Sequence, residues 1–519
     1  MGFTRRDFLT RVGQIGGYSA TFSAMQTLGL MSAKGEQWRP IEAAAGIGKG
    51  TKVVVLGGGI GGLVTAYEMK KLGYDVTVLE ARARPGGRVW TGRKGDKIEF
   101  VDGTTQTIEW ADGNYQNIGA GRLPSTHWTI LKYCRELGVP LEIEVNTSKS
   151  TLLQNDNANG GAAVAQRKVD MDTRGHVSEL LSKCLAQGAL DQDFSAEDKA
   201  RMLEFLRSYG DLDKANKFVG GSSILGRAGF KIPPAAGSQV GVVDSVLDMK
   251  TLLDANFWNG LLFTDEWAQS ATMMQPVGGM DRIPYAFAKS LGDTVKYNAP
   301  VKSFKRTDKG VSVTYTQGGA EKNIEATYCV IALPFEILKK LDNDLSAPCK
   351  AAVMDSTPSG YYKVSWESRR FWEQDYNIYG GLSWVSQGPS PLWYPSANLM
   401  AETGVFVAGY MEEQGTPFYT MSLAEKFAAS KASVEKLHPG HGAELKNPVY
   451  FGWRHMKWNE ASWIRTWGNG RAGYNALIAG DGPYYFAGDT VSNVNAWQEG
   501  AALSAKLVVQ KISDRVKGA

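Results

Sequence analysis

Three glycines and one acid carry the first legible chemistry of this chain. Gly57, Gly59 and Gly62 stand at Gly-x-Gly-x-x-Gly spacing, and Glu80 lies eighteen residues beyond Gly62. Gly57 permits a tight turn, Gly59 lets a pyrophosphate approach the backbone at a helix N-terminus, and Gly62 lets helix and strand pack closely. Glu80 has the reach to accept from ribose hydroxyls. Arg122, in Gly119-Ala120-Gly121-Arg122-Leu123-Pro124, offers a planar fork that can hold a carboxylate bidentately. Lys363 sits in Tyr361-Tyr362-Lys363-Val364-Ser365-Trp366, which alternates like a strand; a buried lysine of lowered pKa can relay protons. The five histidines, His127, His176, His438, His441 and His455, are scattered, with no pair at metal spacing and no Ser-His-Asp arrangement. No metal site is expected.

The glycines have the surroundings their chemistry requires. The apolar run Val53-Val54-Val55-Leu56 predicts a strand, the residues after Gly62 an amphipathic helix, and the stretch ending in Glu80 a second strand. That is a dinucleotide-binding unit, so the fold class is α/β and doubly wound. Further strands are expected within 294–316, turned at Asp308-Lys309-Gly310, and within 328–335, closed by Pro334. Val177, Leu180, Leu181, Cys184 and Leu185 recur at helical spacing. Ser195 and Asp198 form a capping box before Met202, Leu203, Phe205, Leu206 and Tyr209. A helical insertion over about 165–235 follows from this periodicity. Near the C-terminus a strand ends in Phe486-Ala487-Gly488, Asp489 follows, and a helix begins near Trp497.

Length and composition describe a multidomain globular protein. The 519 residues are 43% apolar and 21% charged, and the net charge of +4 gives no footprint for nucleic acid. Sixty glycines suit close backbone approach to a bulky cofactor, and fifteen tryptophans suit aromatic-lined pockets. Cys134, Cys184, Cys329 and Cys349 give neither a disulfide framework nor a metal pattern. Thr4-Arg5-Arg6-Asp7-Phe8-Leu9 matches a twin-arginine export signal, and Ala43-Ala44-Ala45 offers a small-residue cleavage site. The mildly apolar stretch between them is too polar to span a membrane. Transient handling by the twin-arginine machinery and a periplasmic or secreted destination are expected, since that route carries proteins already folded around a cofactor.

Residues 81–88, ARARPGGR, resemble the second cofactor motif of FAD-dependent amine oxidases. The likeness extends through GGGIGG…E, RPGGR, GAGRLPSTH, PVGGMDRIP, VIALP, YKVSWESRRFW and YFAGDTVSNVNAWQEGA, in order from about residue 50 to about residue 510. Within that group the chain resembles the L-amino acid oxidases. The resemblance implies FAD, a mixed-sheet substrate domain and a helical domain lining the entrance; the FAD is expected to be non-covalent because no Cys or His sits beside Phe486-Ala487-Gly488-Asp489-Thr490. It implies this division: 1–45 signal segment; 46–118, 272–335 and 448–519 FAD-binding domain; 119–164, 236–271 and 336–447 substrate domain; 165–235 helical domain. Cofactor-binding positions are then Gly57, Gly59, Gly62, Glu80, Arg82, Gly86, Gly87, Arg88, Gly119, Ala120, Gly121, Arg122, Val301, Gly488, Asp489 and Trp497.

The same resemblance gives Arg122 the substrate carboxylate. Gly121 stands where relatives often carry methionine, which is expected to alter packing at the flavin. Lys363 matches a lysine that holds a water near flavin N5. Trp497 and either Trp393 or Tyr394 match an aromatic pair flanking the substrate, with Tyr394 preferred for its hydroxyl. Ala496 replaces a glycine, and its carbonyl is expected to accept from the substrate amine. The implied reaction is oxidative deamination of L-amino acids, favouring large neutral or apolar side chains. O2 is the acceptor, 2-oxo acid, ammonia and hydrogen peroxide are the products, and a homodimer or higher homo-oligomer is the assembly. The alternatives are a tryptophan-directed oxidase or monooxygenase, an amine oxidase without carboxylate recognition, and a flavoprotein that passes electrons to a quinone or protein partner.

Overall fold

The computed structural model describes residues 40–189, 191–220, 226–465 and 471–518. The twin-arginine motif lies outside the described residues. The described chain begins against the folded body: the Glu42 N–H donates to Gln510 Oε1 at 2.7 Å, and Ile41 packs on the core.

A five-stranded parallel sheet is the centre of the fold. Its order is Val295–Lys296, Asp75–Leu79, Lys52–Leu56, Tyr328–Ile331, Tyr484–Phe486. Val53 to Leu56 are buried on both faces, which is why they read as a continuous apolar run and not as an alternation. The helix Ile60–Lys71 covers one face, packed beside Arg282–Leu291 and the long C-terminal helix Gln498–Gly518. A four-stranded sheet covers much of the other, built from Val301–Thr307, Gly310–Gln317, Ala320–Ala326 and Asp342–Asn343. The expected hairpin at Asp308-Lys309-Gly310 is its first turn.

A seven-stranded mixed sheet forms the second body. Its order is Val164–Ala165, Leu152–Gln154, Gly381–Val385, Leu392–Tyr394, Thr403–Glu412, Tyr361–Arg369, Lys446–Gly452. Leu152–Gln154 and Gly381–Val385 run parallel, and the other neighbours are antiparallel. A boundary at 447/448 would therefore cut a strand of this sheet. A smaller sheet, Leu123–Pro124, Met273–Pro276 and Leu141–Glu144, carries the segment after Arg122.

The helical insertion contains Gln166–Ala186 and Ala196–Gly210, the second capped by Ser195 Oγ accepting from the Asp198 N–H at 3.1 Å. Its expected apolar stripe is corrected in part, since of that stripe Leu185 is buried. Val177 and Leu180 are exposed, whereas Gly175, Ser178 and Ser182 are buried. Small residues bring the two helices together: a Cβ on Gly210 would lie 2.4 Å from that of Ser178. Helical structure also continues past 235, through Met249–Ala255, Trp258–Leu262 and Trp267–Ser270. Among the described residues no helix is long and apolar enough to cross a membrane, and no cluster of His, Cys, Asp or Glu could hold a metal ion.

Candidate active site

A cavity of about 680 Å³ runs from the first glycine turn to the seven-stranded sheet. At one end the two glycine segments are tied together. The Gly86 N–H donates to Gly58 O at 2.7 Å, and Gly59 bridges to Gly86. Gly57 has φ +102°, and a Cβ there would lie 2.7 Å from Ala332 O. Gly62 allows no Cβ either, since it would stand 2.0 Å from Gly57 O. At Gly59 a Cβ would meet no protein atom within 4 Å, so the space beside it is open. Glu80 is buried, with Oε2 accepting from the Gly58 N–H at 2.7 Å and Oε1 from the Arg82 N–H at 2.8 Å. Each oxygen keeps a lone pair for a further donor such as a ribose hydroxyl.

The arginines of this end divide their work. Arg88 lines the cavity and grips Asp489 bidentately, with Nη1 3.2 Å from Oδ2. Arg82 is anchored by Lys457 O and the Asn459 side chain at the cavity wall. Arg84 braces the loop: it donates to Pro85 O and Gly87 O, and its guanidinium lies 4.1 Å over Trp90. Open space at Gly59, a buried acceptor at Glu80 and cations at Arg82 and Arg88 fit a dinucleotide diphosphate and ribose. Val301 is not among the residues lining the cavity. Its strand belongs to the four-stranded sheet, and its side chain packs on that sheet's core.

The far end is built by the seven-stranded sheet, the small sheet and the 263–269 segment. Arg122 is buried, and Nη1 donates to Asn146 Oδ1 at 2.6 Å. The Asn146 amide in turn donates to Gln269 O at 2.8 Å. The guanidinium lies 4.6 Å over the Trp393 ring and 5.5 Å over Phe263. Lys363 Nζ donates to Asn117 O at 2.7 Å and Gly119 O at 2.8 Å, and lies 5.0 Å from the Trp393 ring. Burial, and then the Arg122 charge, bring the Lys363 pKa down to about 7. Two of its three ammonium hydrogens are spent on these carbonyls. Trp497 meets His127 edge to face at 4.8 Å, and burial lowers the His127 pKa to about 4, keeping the ring neutral. Ala496 has φ +67°, a left-handed backbone that explains why glycine suits this position; its N–H donates to Asp489 Oδ2 at 3.1 Å.

The preference for Tyr394 is corrected. Its ring is fully buried, and its Oη bonds Ser383 Oγ at 2.9 Å and His438 Nε2 at 2.6 Å. Trp393 is the one that lines the cavity. Neighbours on a strand point to opposite faces, so only one of the pair can face the site. The cavity also brings together Gly119, Ala120, Gly121, Gly488, Asp489, Ala496 and Trp497. Glu144, Asn146, Phe263, Gln269 and Tyr410 also belong to this end, in or just behind the wall, and no sequence motif marks them. Gly121 has a definite reason: a Cβ there would stand 2.4 Å from the Trp393 ring.

Comparison with known proteins agrees with this architecture. The description "Flavin containing amine oxidoreductase" matches residues 60–513. The chain is 26% identical over 366 residues to an L-amino-acid oxidase of Bothrops pauloensis, covering 69% of this chain and 67% of that one. It is 25% identical over 502 residues to the flavin-dependent L-tryptophan oxidase RebO of Lentzea aerocolonigenes, covering 89% and 98%. The fold is shared with putrescine oxidase bound to putrescine (TM-score 0.56, 19% identity, 90% of this chain and 99% of that one). It is shared equally with cyclohexylamine oxidase of Brevibacterium oxydans IH-35A (TM-score 0.58, 15% identity, the same coverage). With one family matched over nearly its whole length, the chain belongs to the flavin-containing amine oxidoreductases, and FAD is its cofactor.

Proposed function

We propose that the chain is an L-amino acid oxidase. The observation that carries this is Arg122, a buried guanidinium in the cavity wall with one protein acceptor, Asn146, among the described residues. Its remaining N–H groups suit a carboxylate held as a fork. An amine without a carboxylate would leave them unanswered, at a cost of a few kcal/mol. Arg122 would bind the substrate carboxylate, the Ala496 carbonyl would accept from the amine, and Trp393 and Trp497 would flank the α-carbon and exclude water. Lys363 would hold a water beside the reacting face through its third nitrogen position. FAD supplies the two-electron acceptor for the α-hydride, and O2 takes those electrons to form hydrogen peroxide. The imino acid released adds water and yields a 2-oxo acid and ammonia, so atoms and electrons balance.

Phe263, Trp393 and Tyr410 line this end with aromatic surface, which supports breadth toward large neutral or apolar side chains. One methylene changes discrimination in such a pocket by only about 1–3 kcal/mol. Likeness to a tryptophan oxidase over 89% of the chain supports a narrower second reading, with tryptophan as substrate. Export by the twin-arginine route and a homodimer or higher homo-oligomer belong to the proposal on sequence resemblance. A peroxide-release screen across the twenty L-amino acids, their D-enantiomers and phenethylamine tests the assignment. Several L-amino acids should respond and the D-forms should not. Equal rates for both enantiomers, or turnover of phenethylamine alone, would refute it, and a carboxamide product with CO2 would make the chain a monooxygenase.

A further inference from the structure

Glu144 is a buried carboxylate that no motif marks. It ends the strand Leu141–Glu144, paired to Met273 behind the substrate end of the cavity. Burying a carboxylate is costly unless it is paired and hydrogen-bonded. Its Oε1 accepts from Trp393 Nε1 at 2.9 Å, and its Oε2 has no protein donor. The indole is thus its one hydrogen-bonded partner among the described residues. Trp393 in turn carries both cations of the site on its ring, Arg122 at 4.6 Å and Lys363 at 5.0 Å. On the opposite side the ring occupies the space a Cβ on Gly121 would need. The indole is fixed by a hydrogen bond at its nitrogen and admitted by a missing side chain at its six-membered edge.

We propose that Glu144 is a positioning residue for the oxidation, holding Trp393 in the one orientation that seats Arg122 and Lys363 against the substrate, with Gly121 as the required gap. The proposal rests on the L-amino acid oxidase reading for its substrate. A tilted indole would shift both cations, and a displacement on the order of 1 Å can cost about 10²-fold in rate. The carboxylate acts here as an acceptor, so an amide oxygen should replace it. A phenyl ring in place of the indole offers no N–H, so in Trp393→Phe the Glu144 side chain should matter little.

The test is a double-mutant cycle on the holoenzyme, using the best L-amino acid substrate. Glu144→Met should lower kcat/KM about tenfold or more, and Glu144→Gln should stay within about threefold of wild type. In a Trp393→Phe background, Glu144→Met should change kcat/KM by less than about threefold. Flavin content and Tm are measured on every variant. Should Glu144→Met fail to retain FAD, Gly121→Ala probes the same ring from the other side. It should cost about tenfold in wild type and less than about threefold in the Trp393→Phe background. Equal losses for the Met and Gln variants would mean that charge, not the hydrogen bond, is at work. Additive losses with Trp393→Phe would mean that Glu144 acts elsewhere. Either result overturns the proposal while wild-type turnover of L-amino acids stands. If wild type oxidises none of them, the substrate assignment itself fails.

Discussion

Among the described residues a single amide oxygen, from Asn146, accepts from the buried Arg122 guanidinium. Arg122→Ala should therefore lower kcat/KM for an L-amino acid by about 10²-fold or more, since a charge-assisted pair in a partly dry site loses several kcal/mol when one partner goes. FAD content and the visible flavin spectrum should survive. Wild type should strongly prefer L-phenylalanine to phenethylamine, and the variant should lose most of that preference. Unchanged rate and preference would show that Arg122 binds no substrate. Lys363 gives a pH-dependent outcome. Its pKa falls from 10.5 to about 7 in the fold, through burial and then Arg122. Between those values the unfolded chain binds more protons, so this lysine's contribution to stability falls as pH drops from about 10.5 to about 7. Lys363→Met should gain Tm relative to wild type over that interval and lose any inflection near pH 7 in kcat, as melts and rate profiles at stepped pH would show. Arg122 and Lys363 were legible because each sits in a local motif. Trp393 and Tyr394 were not separable, because alternation says that two neighbours part but not which one faces the site. Glu144 was invisible, because its role depends on an indole 249 residues away in sequence.

At the scale of elements, the glycine turn makes two demands that substitution can separate. A Cβ on Gly62 would collide with Gly57 O at 2.0 Å, whereas one on Gly59 would meet no protein atom. Gly62→Ala should lower both apoprotein Tm and FAD retention. Gly59→Ala should leave apoprotein Tm nearly unchanged and lose FAD, because only the cofactor fills that space. Flavin absorbance per chain beside apoprotein melts decides the matter, and equal damage from both would contradict this division. The turn was legible because strand, glycines, helix and acid are consecutive. The insertion was legible as helical but not in its orientation. Ser178 and Gly210 pack at the helix crossing while Val177 and Leu180 face outward and Leu185 faces in, so apolar periodicity found the helix but only part of its buried face.

For the whole molecule, the cavity is assembled from segments near residues 57, 88, 120, 333, 363, 460 and 490. A ligand that joins so many segments binds only the folded chain, and at a hundredfold excess over Kd it should add about 2.7 kcal/mol. We propose that the FAD is held without a covalent bond, so acid precipitation should release a yellow supernatant; flavin that stays with the pellet would overturn this. The flavin-depleted protein should melt at a lower temperature and recover on adding FAD; an unchanged Tm would place the flavin outside the fold's cooperative unit. The strand Tyr484–Phe486 of the central sheet and the helix Gln498–Gly518, packed beside the glycine helix, come far after that helix in the chain. At about 5–20 residues per second the first glycine turn leaves the ribosome long before its closing partner exists. Flavin loading therefore waits on this closing segment, and a chain truncated before residue 484 should never turn yellow.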